Sequence, residues 1–318
     1  MLIPPINSGY SYKRKISLKA LLTLTLALSI HSVFAQTQRC QQQDVTLQVL
    51  GSGGPELSDG RASASYLIWH HNKPRVLIDA GPGSSVNFGA SGANFADLQA
   101  VLLTHLHVDH SADLPAYVKG SYFTQRTNDL TIYGPSGNAL MPDTSAYLAS
   151  LLGNKGAFAY LSDYTDTSSQ AAYHIKAHNI PLTPIKQHSQ KVSDDITITA
   201  SPVHHGPVAA LAWRVDIDNC SITFSGDMSN KNDTLAALAK DSDILVMHNA
   251  VPQGATGAAI NLHMRPLDIG KIANQASAKT VVLSHFMNRT KNNNEMTLGY
   301  IRQNFAGEVK MATDMATF

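Results

Sequence analysis

The sequence predicts one α/β domain of two packed β-sheets with helices on their outer faces, and three observations carry that reading. Short strand patterns alternate with helical ones along most of the chain, no Gly/Ser- or Pro-rich linker divides it, and no segment repeats at a fixed period. With 43% hydrophobic and 15% charged residues, its 318 residues can bury a full core without relying on disulfides.

Taken in order, the N-terminus reads as a leader. Lys13, Arg14, Lys15 and Lys19 precede the apolar run Ala20 to Ile30, and Ser32-Val-Phe-Ala35 follows with small residues where a signal peptidase requires them. The run is shorter than the roughly 20 residues of a membrane span. The expectation is a signal peptide over residues 1–35, cleavage after Ala35, and a mature hydrolase domain over 36–318. The mature chain would be periplasmic or secreted and without a stable membrane anchor; an uncleaved anchor helix is the alternative. Cys40 lacks the small residues that precede a lipidated cysteine. Cys40 and Cys220 could pair in an oxidising compartment or stand as unrelated thiols. Four basic residues and no acidic ones lie in 1–35, so the mature chain holds 20 basic against 23 acidic residues, a net charge of −3. With no basic run, a long nucleic acid is a disfavoured partner.

Val45, Leu47 and Val49 alternate as a half-buried strand, and residues 66–69 and 76–79 form a hairpin turning at His71 to Pro74. Strands follow at 101–104, 130–133, 196–200, 210–215, 221–224, 244–247 and 280–283, with helices over Thr234–Ala239 and Pro266–Ala278. Residues 140–175 read as helices and loops without a chemical signal.

The chemistry concentrates at Thr104-His105-Leu-His107-Val-Asp109-His110. Three histidines and an aspartate within six positions, directly after a buried strand, supply the N and O ligands that zinc prefers. This His-x-His-x-Asp-His motif resembles that of the metallo-β-lactamase superfamily, and the superfamily's other motifs occur in order along residues 45–316. The resemblance implies an αββα four-layer sandwich holding two Zn2+ (Mn2+ or Fe2+ are alternatives). It assigns His105, His107 and His205 to one metal, Asp109, His110 and His285 to the other, and Asp227 as a bridge. His204 is the alternative to His205, and Asp79 in Leu77-Ile-Asp79-Ala-Gly81 fits a buried aspartate that orients the ligand loop.

Within the superfamily the chain resembles the ribonuclease Z branch, which also contains phosphodiesterase-like and arylsulfatase-like enzymes. Leu50-Gly-Ser-Gly53, Arg61-Ala-Ser-Ala-Ser-Tyr66, Thr131-Ile-Tyr-Gly-Pro135, Ala212-Trp-Arg-Val215, His263 and Leu283-Ser-His285-Phe carry it. The branch implies that His263 donates a proton to the leaving group. His248 also matches, but the glutamate that normally follows it is Asn249. The long basic arm with which ribonuclease Z grips tRNA is replaced by Asp216-Ile-Asp-Asn-Cys-Ser221. The resulting expectation is an exported hydrolase of small anionic phosphodiesters or aryl sulfates, acting through a water bridging two metals, with Asp109 holding the nucleophile and His263 as acid. Arg289 could contact the ester or form a surface salt bridge. A β-lactam or lactone hydrolase, a tRNA 3′-processing-type endonuclease and a non-catalytic metal-binding protein are the alternatives. The superfamily's habit of dimerising leaves a homodimer open.

Overall fold

The computed structural model describes residues 1–2 and 38–318. The leader expected over 1–35 therefore lies almost entirely outside the described residues. Among the described residues no helix is long and apolar enough to cross a membrane.

Helix α1 (Gln38–Gln42) leads into a six-stranded sheet whose spatial order is its chain order. Its strands are β1 (Val45–Gly51), β2 (Ser65–His70), β3 (Lys73–Ile78), β4 (Ala100–Leu102), β5 (Leu130–Pro135) and β6 (Ile175–Ile180). The second sheet runs in reverse chain order and has seven strands. These are β7 (His188–Lys191), β8 (Ile196–His205), β9 (Val208–Ile217), β10 (Cys220–Phe224), β11 (Ile244–His248), β12 (Thr280–Ser284) and β13 (Glu308–Met311). The main helices are α2 (Ser84–Ala90), α3 (Val108–Ser111), α4 (Leu114–Ser121), α5 (Thr144–Leu152), α6 (Leu235–Leu238), α7 (Ala258–Leu262), α8 (Pro266–Gln275) and α9 (Asn294–Ile301).

The period-two rule of strands separates three apolar layers. Val45, Leu47, Tyr66, Ile68, Val76 and Ile78 of one sheet meet Leu211, Trp213, Val215, Ile222, Phe224, Val246 and Val282 of the other. The intervening Leu67, Leu77 and Val101 face outward onto Phe88, Tyr117, Val118 and Leu148 of the helices. Ala210, Ala212, Leu245, Met247 and Leu283 do the same against Leu235, Ile269, Ile272 and Ile301. Two sheets with an apolar layer on each face give the four-layer αββα arrangement.

Several boundaries differ from expectation for local reasons. Strand β8 continues five residues past Ala200 through Pro202, because β7 pairs it only as far as Ala200 and the missing N–H falls on an open edge. Helix α8 stops at Gln275 rather than Ala278: Ser277 adopts φ 52° and the Ala278 N–H returns to the Ala273 carbonyl, a Schellman closure. Strands β6, β7 and β13 were not legible, being edge or near-edge strands with partly exposed, polar patterns. Cys40 and Cys220 are joined, tying the chain before β1 to the start of β10.

The two sheets are locked together beside the chemistry. The fully buried Trp213 donates its indole N–H to the Leu103 carbonyl (3.0 Å), and the Leu211 N–H donates to the Thr104 carbonyl (2.8 Å). Strand β9 thereby fixes the exit of β4, from which the histidine loop departs.

Candidate metal centre

Every sequence-assigned ligand lies at the C-terminal end of a strand or in the loop that follows. Leaving β4, the chain places His105 and His107 on one side and starts α3 with Asp109 and His110. His205 closes β8, Asp227 follows β10 through Gly226, and His285 follows β12. Gly226 (φ 58°) and His285 (φ 55°) occupy the left-handed region. A histidine there carries a backbone cost typical of functional positions, on the order of 1–3 kcal/mol. Gly54 is required by close approach, since a Cβ there would stand 2.8 Å from the His285 ring.

These residues converge. The His105, His107 and His205 ring centroids lie 4.6–5.1 Å apart, edge to face, around one point bounded by Asp227. On the other side of Asp227, His285 Nε2 is 3.3 Å from Asp109 Oδ2 and 3.4 Å from Asp227 Oδ1, and His110 Nε2 is 3.5 Å from Asp109 Oδ2. His110 Nε2 and His205 Nε2 each approach Asp227 Oδ2 to 3.7 Å. Donor atoms bound tetrahedrally at about 2.0–2.2 Å stand roughly 3.3–3.6 Å apart, so these spacings suit a shared cation.

The hydrogen bonding points the same way. His205 donates from Nδ1 to the Leu262 carbonyl at 2.8 Å, and its Nε2 is buried without a partner, as is His105 Nε2. His110 Nδ1 is 2.8 Å from Asp79 Oδ2, and the same carboxylate accepts from the Thr104 N–H (2.7 Å) and hydroxyl (2.8 Å). Asp79 thus orients the loop and directs His110 Nε2 inward, the carboxylate–histidine arrangement of metal sites. Histidines with one nitrogen anchored and the other orphaned beside buried carboxylates fit a pair of divalent cations.

His204 is elsewhere: it alternates away on β8, and its Nδ1 lies 2.7 Å from the Ser229 hydroxyl. His205 is the one whose ring enters the cluster. His263 follows α7, which is held by the His205–Leu262 bond and by the Gly206 N–H to the Asn261 carbonyl (3.0 Å). Its Nδ1 is 3.8 Å from Asp227 Oδ1 and has no hydrogen-bond partner, and both side-chain polar atoms of the buried Asn249 also lack one. Arg289 donates from Nε to the Ala250 carbonyl (2.6 Å), holding the loop after β11, and among the described residues it forms no salt bridge.

Sequence reasoning left open what His248 does. The Tyr66 hydroxyl is 3.0 Å from His248 Nε2, and His248 Nδ1 is 2.7 Å from Asp227 Oδ1. Burial pushes the Tyr66 phenol well above its ordinary pKa, so it donates. His248 accepts at Nε2 and donates from Nδ1, fixing the Asp227 carboxylate. His248, rather than Asp109, brings a ligand atom within 4.8 Å of those of His110, Asp227 and His285, but both its nitrogens are engaged.

The electrostatics call for positive charge. Burial lowers the pKa of His105 well below its ordinary value and lowers that of His205, with the neighbouring histidines adding to it. Burial opposes ionisation of Asp109, yet His110 and His285 outweigh it and hold its pKa at about 2. Asp227 likewise stays ionised against burial, through His285, His263 and its hydrogen bonds. Two buried carboxylates remain anionic beside His110 and His285, whose pKa values they raise against burial, while burial pushes His105, His107, His205, His248 and His263 down.

A profile of the Beta-lactamase superfamily domain matches residues 74–286. The chain belongs to this superfamily. It is a metallo-β-lactamase-fold hydrolase, of a family whose members bind divalent metals, typically zinc. Among curated relatives, "Ribonuclease Z" of Mycobacterium bovis (strain BCG / Pasteur 1173P2) is 27% identical over 286 residues, covering 85% of this chain and 96% of the relative. Solved structures share the superfamily fold. The metallo-β-lactamase-fold protein YhfI from Bacillus subtilis aligns with a TM-score of 0.67 at 20% identity, covering 86% of this chain and 98% of its own. Human tRNase Z, short form, aligns with a TM-score of 0.65 at 18% identity, with the same coverage.

Proposed function

We propose that the protein is a two-metal phosphodiesterase of the ribonuclease Z kind. The observation that carries this reading is the convergence of two ligand groups on Asp227, with His263 at their edge. A pair of divalent cations, zinc first, supplies Lewis-acid charge and lowers the pKa of a bound water toward neutrality. His105, His107 and His205 would hold one, Asp109, His110 and His285 the other, with Asp227 between them.

The chain's own groups do the rest. Asp109 accepts a hydrogen bond from the attacking water and orients it in line with the scissile bond. Tyr66 and His248 keep Asp227 fixed while charge builds on the phosphoryl oxygens. As the attacking water loses a proton past Asp109 to solvent and its oxygen bonds to phosphorus, the P–O bond breaks and His263, protonated in the complex, delivers a proton to the leaving oxygen. Burial, with His285, His205 and His248, holds His263 at about 3. The acid role therefore requires the substrate's negative charge beside it to raise that value.

For the substrate, the relatives' names favour RNA 3′-end processing over small esters, and a precursor tRNA is the first natural substrate to test. A different observation favours short diesters: β9 and β10 are joined by a two-residue turn, Asp218-Asn219, where the tRNA-gripping arm is expected. Export to an oxidising compartment is part of the proposal, supported by the leader-like sequence and the Cys40–Cys220 bond. The test is the purified chain assayed against bis(p-nitrophenyl) phosphate, p-nitrophenyl sulfate, nitrocefin and a precursor tRNA with a 3′ trailer. Chelator-sensitive turnover of the diester supports the reading, and trailer removal sets its substrate. Turnover of the sulfate or nitrocefin alone overturns it.

A further inference from the structure

A second histidine–carboxylate cluster lies at the opposite end of the strands, among residues the proposed hydrolysis does not use. His70 ends β2 and is 97% buried, its side chain wedged between the two sheets. Its Nδ1 is 3.0 Å from Asp195 Oδ2 and its Nε2 is 3.2 Å from Asp218 Oδ2, yet neither nitrogen is aligned for a hydrogen bond. Next to it, His71 begins the two-residue β2–β3 turn at φ 51°, followed by Asn72 at φ 57°. Such a turn takes Asn or Gly at no cost, so a histidine in its first position is tolerated at the expense of some strain. The His71 ring stacks on His70 with centroids 4.0 Å apart, and its Nδ1 is 3.3 Å from Asp44 Oδ2.

A neutral imidazole has one N–H and cannot satisfy two flanking carboxylates. If His70 were simply paired with both carboxylates, aligned hydrogen bonds would form. A cation resolves both difficulties. His70, His71 and Asp218 each bring one ligand atom to within 4.8 Å of the others. Asp195, steadied by the Ser193 hydroxyl at 2.6 Å, sits on the remaining nitrogen of His70. This places a carboxylate behind the ligand ring, as Asp79 stands behind His110, though without an aligned hydrogen bond.

We propose that His70, His71 and Asp218 form a structural site for a divalent transition-metal ion, with Asp195 orienting His70. Two imidazoles and a carboxylate suit zinc or copper rather than magnesium or calcium. His71 and Asp218 are exposed, which leaves room for a water as fourth ligand. His70 and His71 belong to the six-stranded sheet and Asp218 to the turn entering β10 of the other. The ion therefore clips the sheets together at the end that Cys40–Cys220 also staples.

The test is zinc content per chain after zinc loading and exhaustive dialysis, in the wild type and in a His71→Asn/Asp218→Asn double variant. Asn fits the left-handed turn positions, so folding is preserved. The proposal expects the double variant to carry one zinc fewer, with unchanged hydrolysis, and zinc-edge anomalous diffraction of the wild type to show a peak beside His70 and His71. Equal zinc content in the two proteins, or no peak there, overturns it. Neither readout depends on the substrate, so the result stands apart from that of the proposed phosphodiesterase.

Discussion

The two ends of the strands in this molecule are built on opposite principles. At the C-terminal ends of β4, β8, β10 and β12, loops present buried histidines around ionised Asp109 and Asp227, leaving ring nitrogens orphaned. At the other end, tight two-residue turns and the Cys40–Cys220 bond close the sandwich. The first end gathers orphaned ring nitrogens and left-handed backbone at His285 around a chemical centre, whereas the far end carries its own at His70 and His71 beside a covalent tie. The covalent tie at the far end, together with Trp213 and the inter-sheet core, supplies the stability that these features cost. Chemistry and stability are thus separated along the strand axis, as expected when a rigid scaffold positions functional loops.

The largest effect that would break the comparison is at the shared carboxylate. Asp227→Ala should drive diester hydrolysis down by at least about 10³-fold, the scale of losing a central electrostatic group, with metal content falling alongside. Retained activity would mean the two ligand groups do not act as one centre. At the opposite end, Cys40→Ser/Cys220→Ser opens a span of 180 residues and should cost about 2–5 kcal/mol of unfolding free energy. Denaturation by urea should register that loss while kcat holds; a matching loss of activity would show that the ends are not separate.

Asp79→Asn tests the support beneath the ligands. It removes an acceptor of the His110 ring and should lower metal affinity or activity by roughly 10–100-fold, read by zinc competition with a chromogenic chelator. Smallest is Tyr66→Phe, which frees His248 Nε2 while leaving the ring in the inter-sheet core. A buried hydrogen bond is worth about 1 kcal/mol, so kcat/KM should fall several-fold. No change would remove Tyr66 from the machinery.

The parts legible in the sequence were those whose signal is local. His105 to His110 are contiguous, and the alternation of Val45, Leu47 and Val49 or of Val76 and Ile78 writes the inter-sheet face directly. His205, Asp227, His263 and His285 were singled out through the resemblance; His205 ends a strand, Asp227 and His285 follow strands, and His263 follows a helix. The placement of His205 over His204 needed the structure, because two adjacent histidines differ only in which face of β8 they occupy. The Tyr66–His248–Asp227 chain was hidden because Tyr66 and His248 stand 182 positions apart. His71 read only as part of a hairpin turn and His70 carried no signal, since Asp195 and Asp218 come from the other sheet.

The central claim is that the histidine cluster works as a two-metal phosphodiesterase centre. Its most direct test is hydrolysis of bis(p-nitrophenyl) phosphate by chelator-stripped protein as zinc is added back, in the wild type and in Asp227→Ala. The account predicts activity abolished by stripping, restored by zinc in the wild type, and not restored in Asp227→Ala at any zinc concentration. Full turnover by the stripped protein, or equal rescue of both, would contradict it.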